Sequence, residues 1–170
     1  QAGIESKVPE LEFWLDLASP YSYLSAMRID DLAGRARVAL RWRPFLLGAI
    51  FKSFGWDNSP FVLQKEKGAY MWQDMARQCR KQNIPWMRPS TFPRHSVLAA
   101  RVALYGADEP WIGAFCRRVM LRNFAHDRDI ATEADVSEVL NALALPAATI
   151  LAGAQSDENK SRLRVQTDRA

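Results

Sequence analysis

The chain has 170 residues, 48% of them hydrophobic and 25% charged, with a formal net charge of +4. This is the balance of a globular chain with a substantial core; it argues against disorder, and no apolar run is long enough to span a bilayer. Lys and Arg are scattered along the chain instead of gathered in one block, so a nucleic-acid partner is not expected, and the charge favours small anions only mildly.

The start, residues 1–10, is polar and mixed in charge and lacks the basic segment, apolar core and small-residue cleavage site of a secretory leader, so a cytoplasmic protein is expected. Over residues 10–17, Glu10, Glu12, Trp14 and Asp16 alternate with Leu11, Phe13, Leu15 and Leu17, the period of a strand. Pro20 ends it. Residues 21–36 read as one mostly buried helix whose solvated stripe carries Arg28, Asp31 and Arg35, and residues 38–43 as a second strand. Strand, helix, strand in one sheet is a right-handed crossover with parallel strands, and its first loop, where Ser19 lies, is where α/β folds place ligands.

Residues 45–60 are rich in Gly, aromatic and turn residues and read as a loop, after which nearly everything is helical. Helices are expected over residues 66–82, 96–105, 109–123, 133–144 and 157–167. Pro110 stands at a first-turn position after Asp108, Gly106 closes the preceding helix, Thr132 and Asp135 form a capping pair, and Ser156 opens the last helix. Val136, Val139, Leu140 and Leu143 make an apolar stripe. The expected organisation is a βαβ unit over residues 8–56 and a helical domain over residues 57–170.

Cys79 and Cys116 stand far apart within helical patterns and read as small buried hydrophobes, not as a disulfide. His95 and His126 have no metal-ligand spacing to each other or to the cysteines, so no metal is expected. The six tryptophans either line an aromatic-substrate pocket or fill the core.

Ser19-Pro20-Tyr21-Ser22 occupies the turn where a thioredoxin-like redox protein keeps Cys-x-x-Cys. With serine at both ends, disulfide exchange by thiolate attack is excluded, but a hydroxyl near a helix start can still hydrogen-bond an incoming sulfur and lower its pKa. The alternative is that Ser19 and Ser22 only cap the helix.

The run Phe13-Trp14-Leu15-Asp16-Leu17-Ala18-Ser19-Pro20-Tyr21-Ser22-Tyr23, the segment Leu40-Arg41-Trp42-Arg43-Pro44-Phe45-Leu46-Leu47-Gly48-Ala49-Ile50-Phe51, Lys67-Gly68-Ala69-Tyr70-Met71, Pro89-Ser90-Thr91-Phe92-Pro93-Arg94 and Asp127-Arg128-Asp129-Ile130 occur in one order. In that order they resemble the 2-hydroxychromene-2-carboxylate isomerases and kappa-class glutathione transferases. The resemblance implies an α/β thioredoxin-like fold with a large all-helical insertion, usually a homodimer, with glutathione as cofactor and Ser19 as the catalytic residue beside its sulfur.

It also implies that Asn58 and Lys67 contact glutathione and that Lys52 holds the carboxylate of a small aromatic substrate. Turn and surface roles are the alternatives for Asn58 and Lys67. Arg94, and with it Arg43, is read either as a further group for an anionic substrate or as facing water. Family members continue past the last helix into a Gly-x-Pro loop, two strands and a closing helix, so the expected fold lacks its C-terminal strands within these 170 residues. A conjugating transferase and a non-catalytic thiol- or peptide-binding module are the competing functions.

Overall fold

A computed structural model of the chain describes residues 7–170. Most of the polar start read as lacking a leader therefore lies outside the described residues. Strands β1 (Glu10–Leu15) and β2 (Ala39–Pro44) form a parallel pair whose register runs from Glu10 opposite Ala39 to Leu15 opposite Pro44. The alternation of β1 is used as expected at its inner end: Leu15 and Leu17 are fully buried, and Phe13 meets the ring of Trp42 edge-on at 5.2 Å. The strand stops at Leu15, two residues short of the pattern. The N–H of Ser19 donates to the Asp16 carbonyl at 3.0 Å, and that of Ala18 to the Asp16 side chain at 2.7 Å, folding the chain into a turn.

The helix expected over residues 21–36 is two helices, α1 (Pro20–Ala26) and α2 (Ile29–Ala36). At the junction the Arg28 N–H reaches back only three residues, to Ser25. The break lets the two helices serve different neighbours: α2 packs on β2, and α1 turns Tyr23, Leu24 and Ala26 into the helical block. The Tyr23 ring is fully buried 5.3 Å from Phe124, and its hydroxyl donates to the Pro85 carbonyl. A buried phenol with a satisfied hydroxyl gains its apolar burial without a desolvation penalty.

The turn-rich stretch holds two helices that periodicity did not reveal, α3 (Leu47–Ser53) and α4 (Pro60–Leu63). Beyond them run α5 (Lys65–Gln82), α6 (Val97–Tyr105), α7 (Ile112–Phe124), α8 (Glu133–Ala142), α9 (Ala147–Ala154) and α10 (Asp157–Arg169). The expected helix over residues 109–123 starts later, at Ile112, with Pro110 in the preceding turn. Gly106 caps α6 there, and a Cβ would stand 2.0 Å from the Trp111 ring, so a larger residue would have to displace that ring. The capping box of Thr132 with Asp135 opens α8, and Ser156 caps α10. Helix α9 was missed because its Ala-rich sequence has no polar stripe to give it a period.

One core joins strands and helices: Leu15, Tyr23, Trp42, Met71, Phe115 and Phe124 belong to a single buried cluster. Helices α6 and α10 both pack on β2, so the helical segment closes over the sheet. Cys79 and Cys116 are buried in that core as free thiols, and burial pushes the Cys79 thiol up to about 11. Among the described residues no helix is long and apolar enough to cross a membrane, and no group of three or more His, Cys, Asp or Glu could hold a metal ion.

Candidate functional site

The loop leaving β1 sets the first wall of the site. Ser19 is the N-cap of α1, with extended backbone (φ −88°, ψ 124°) and Pro20 in the first turn, and its Oγ accepts the Ser22 N–H at 3.4 Å. Ser22 Oγ in turn accepts the Asp16 N–H at 3.2 Å. Capping and site-lining are therefore not exclusive: as an acceptor of the cap bond, the half-buried Ser19 keeps its own proton to donate outward.

That outward side is a cavity of about 430 Å³, bordered by Ser19 and Pro20, by α3 and the turn after it, by Asn58 and Ser59, and by residues 92–97. Its lining is mostly apolar. Phe51 stacks on Trp56 at 5.8 Å, and Phe61 and Phe92 complete an aromatic wall. Trp56 is the tryptophan that reaches the cavity; Trp72 and Trp86 instead lie 6.0 Å apart, packed against the core.

Four of the five residues singled out from the sequence meet here: Ser19, Lys52, Asn58 and Arg94. Lys52 is exposed, near the end of α3. Asn58 uses its Oδ1 to accept the Ser59 N–H at 2.7 Å, which orients its amide N–H₂ away from that bond. Lys67 does not border the cavity; its ammonium sits 5.9 Å from the centre of the Phe61 ring, whose other surroundings include the site.

Arg94 does not face water, as one of its two readings held. It is buried, with Nη1 donating to the Asn123 side chain at 2.9 Å and Nη2 to Asp127 at 2.8 Å, so its guanidinium is engaged in holding the wall. Arg43 lies outside the site, 3.6 Å from Glu12, and borders a separate hollow of about 440 Å³ between β2 and α10 in which Glu158 and Asp108 offset the arginines.

The residue that organises the site is one that periodicity misassigned. Asp16 shares the phase of the solvent-facing Glu10 and Glu12, yet it is 4% exposed. Its Oδ1 accepts from Ala18 N–H at 2.7 Å and from the Ser96 hydroxyl at 3.4 Å, and its Oδ2 from Leu47 N–H at 2.8 Å. One carboxylate thus ties the Ser19 loop, the start of α3 and the start of α6. Burial raises its pKa above the usual carboxylate range, against the three donors, because no cation accompanies it. His95 also borders the cavity; from the sequence it was weighed only as a metal ligand. The signal that could have found both is local: a polar residue at the strand end beside the Ser-Pro turn, and three consecutive polar residues before an apolar helix.

The donor set suits glutathione, with a hydroxyl for a sulfur at Ser19 and a primary amide at Asn58.

The family described as a DSBA-like thioredoxin domain matches residues 10–170. Glutathione S-transferase kappa 1 of Caenorhabditis elegans is 26% identical over 145 residues, which is 81% of this chain and 63% of that relative. The chain thus spans less than two thirds of the curated relative it matches. Among solved structures, the selenomethionine form of a 2-hydroxychromene-2-carboxylate isomerase superposes with a TM-score of 0.82 at 21% identity, over 95% of this chain and 78% of that one. A candidate protein disulfide isomerase of Nitrosomonas europaea gives a TM-score of 0.71 at 17% identity, over 96% and 78% of the two chains. At these identities the structures establish the fold, a thioredoxin-like α/β arrangement that is mostly helical around a small two-stranded sheet.

Proposed function

The chain belongs to the DSBA-like thioredoxin domain family, and on that premise we propose that it is an enzyme using glutathione to isomerise a double bond in a small aromatic carboxylate of the 2-hydroxychromene-2-carboxylate type. The observation that carries the reading is the half-buried Ser19 hydroxyl, which accepts the cap bond and borders an aromatic-walled cavity of about 430 Å³.

When bound, glutathione supplies a thiolate that adds reversibly to a conjugated double bond, so that the bond can rotate before the sulfur leaves. The protein's share is to hold and polarise. Ser19 donates its hydroxyl proton in a hydrogen bond to the sulfur and so favours the thiolate. Asn58 offers its amide to the peptide part of the tripeptide, and Lys52, at the mouth of the cavity, pairs with the substrate carboxylate. The wall of Phe51, Trp56, Phe61 and Phe92 takes the ring and excludes water. Lys67 belongs to the outer edge of this arrangement, through Phe61.

A kappa-like transferase that conjugates glutathione to electrophiles is the second reading, favoured by the kappa 1 relative. The serines at positions 19 and 22 argue against dithiol exchange, and the two cysteines are buried in the core. The proposal also takes in a cytoplasmic location and a homodimer, the latter checked by light scattering.

The ultraviolet thiolate band of reduced glutathione, recorded near neutral pH with wild type and Ser19→Ala, tests the site. A band in wild type that is lost in the variant supports it, and no band in either sinks thiol activation. Turnover then separates the two enzymes, since an isomerase leaves the glutathione pool constant and a transferase depletes it.

A further inference from the structure

Residues 94–96 have an arrangement that thiol activation does not use. Arg94 and Ser96 are buried, 8% and 7% exposed, while His95 between them is exposed and borders the cavity. Both neighbours are tied down from opposite sides. Arg94 is held by Asn123 and Asp127 at the tail of α7, and Ser96 donates to Asp16 at 3.4 Å. The oxygen that receives Ser96, Asp16 Oδ1, also receives the N–H of Ala18, the residue before Ser19. Ser19 and His95 are thus each one residue away from a group bound to a single buried oxygen atom, and both border the same cavity.

From this geometry we propose that His95 is the proton donor of the pocket, acting on the substrate oxygen that gains negative charge as the sulfur adds. The inference rests on the reading of the site given above. As the C–S bond forms, the electron pair of the carbon–carbon double bond moves through the conjugated carbonyl to its oxygen. The His95 N–H bond breaks and an O–H bond forms there. After rotation the proton returns to the imidazole, the electron pair returns to the carbon–carbon bond, and the C–S bond breaks with the thiolate leaving. Nothing is oxidised or reduced, and the imidazole ends as it began.

Ser19 serves the sulfur and Arg94 is engaged in the wall, so neither is available for this task. Asp16 is occupied by its three donors. An imidazole is the side chain that gives and recovers a proton near neutral pH. The charged groups that border the same cavity are Lys52 from α3, Asp57 from the turn before α4, Asp16 from the end of β1 and Arg94.

The test uses wild type, His95→Gln and His95→Ala, with three readouts. The chain has two histidines, so the imidazole proton signals in a nuclear magnetic resonance spectrum are few, and His95→Gln identifies those of His95. Salicylate, an unreactive aromatic carboxylate, added to the glutathione-loaded wild type should move the His95 signals and leave those of His126 in place. Turnover of 2-hydroxychromene-2-carboxylate by His95→Ala should fall about 100-fold, while the glutathione thiolate band stays at wild-type strength. Unmoved His95 signals, or wild-type turnover in the variants, would overturn the assignment. A missing thiolate band in wild type is a separate failure, of the site reading itself, and is seen without any His95 variant.

Discussion

Two carboxylates brace the same short segment from its two ends, and they do it by different physics. At the outer end Asp127 accepts the N–H and the hydroxyl of Ser90 at 2.8 and 3.0 Å and the Arg94 guanidinium at 2.8 Å. These donors, the Ser90 N–H foremost, hold its pKa down to about 2. At the inner end Asp16 receives three donors but no cation, and burial drives its pKa up. The outer brace is a locked ion pair that charges the wall and does not change over the physiological range. The inner one is held by neutral donors alone, two backbone N–H groups and a hydroxyl. A carboxylate held only by neutral donors is strong as a joint and adjustable as a charge.

Removing each brace sharpens the contrast. Asp16→Ala leaves two half-buried N–H groups and a buried hydroxyl without their acceptor, at about 1 kcal/mol apiece. A Tm lower by about 10 °C is expected in a thermal melt, together with loss of most of the thiolate band per folded molecule. An unchanged band would mean that Asp16 only stabilises. Asp127→Ala leaves the buried Arg94 unpaired but touches no group at the thiol, and calorimetry should show a Tm lower by about 5 °C with the thiolate band intact.

The pH dependences of stability should run in opposite directions. Asp127, with its folded pKa lowered to about 2 from 3.8, contributes stability that is present above pH 3.8 and is lost as pH falls toward 2. Wild type minus Asp127→Asn, from urea titrations, should therefore shrink over that interval. Asp16, with its folded pKa raised above 3.8, contributes stability present below pH 3.8 and lost as pH rises through the folded value. Wild type minus Asp16→Asn should fall with rising pH, and parallel slopes for the two pairs would break the comparison.

The smallest effect concerns the two lysines. Lys52→Ala should raise the KM for the aromatic substrate about tenfold, whereas Lys67→Ala, outside the cavity, should change the KM for glutathione by less than about twofold. A larger effect at Lys67 would extend the site beyond Phe61.

Much of this was legible in the residue pattern. The parallel strand pair, the Ser19 turn and most helices of the second half follow from periodicity and capping residues, because those signals depend on neighbours three or four positions apart. The resemblance carried by the ordered runs between Phe13 and Ile130 agrees with the family match. Helix α3 was hidden because no side chain caps it; its first turn is instead satisfied from afar, Leu47 by Asp16 at 2.8 Å and the preceding Leu46 by Thr167 at 3.2 Å. The roles of Asp16 and Arg94 were hidden for the same reason.

Sequence alone determined the elements whose hydrogen-bond partners lie nearby in the chain, the place of Ser19 at the start of a helix, and serine at both ends of the Ser19–Ser22 turn. Tertiary structure decided which polar groups are buried and what they meet. Asp16 and Ser96 are 80 positions apart and Arg94 and Asp127 are 33 apart, and the cost of burying such groups is offset only by partners that the fold brings together.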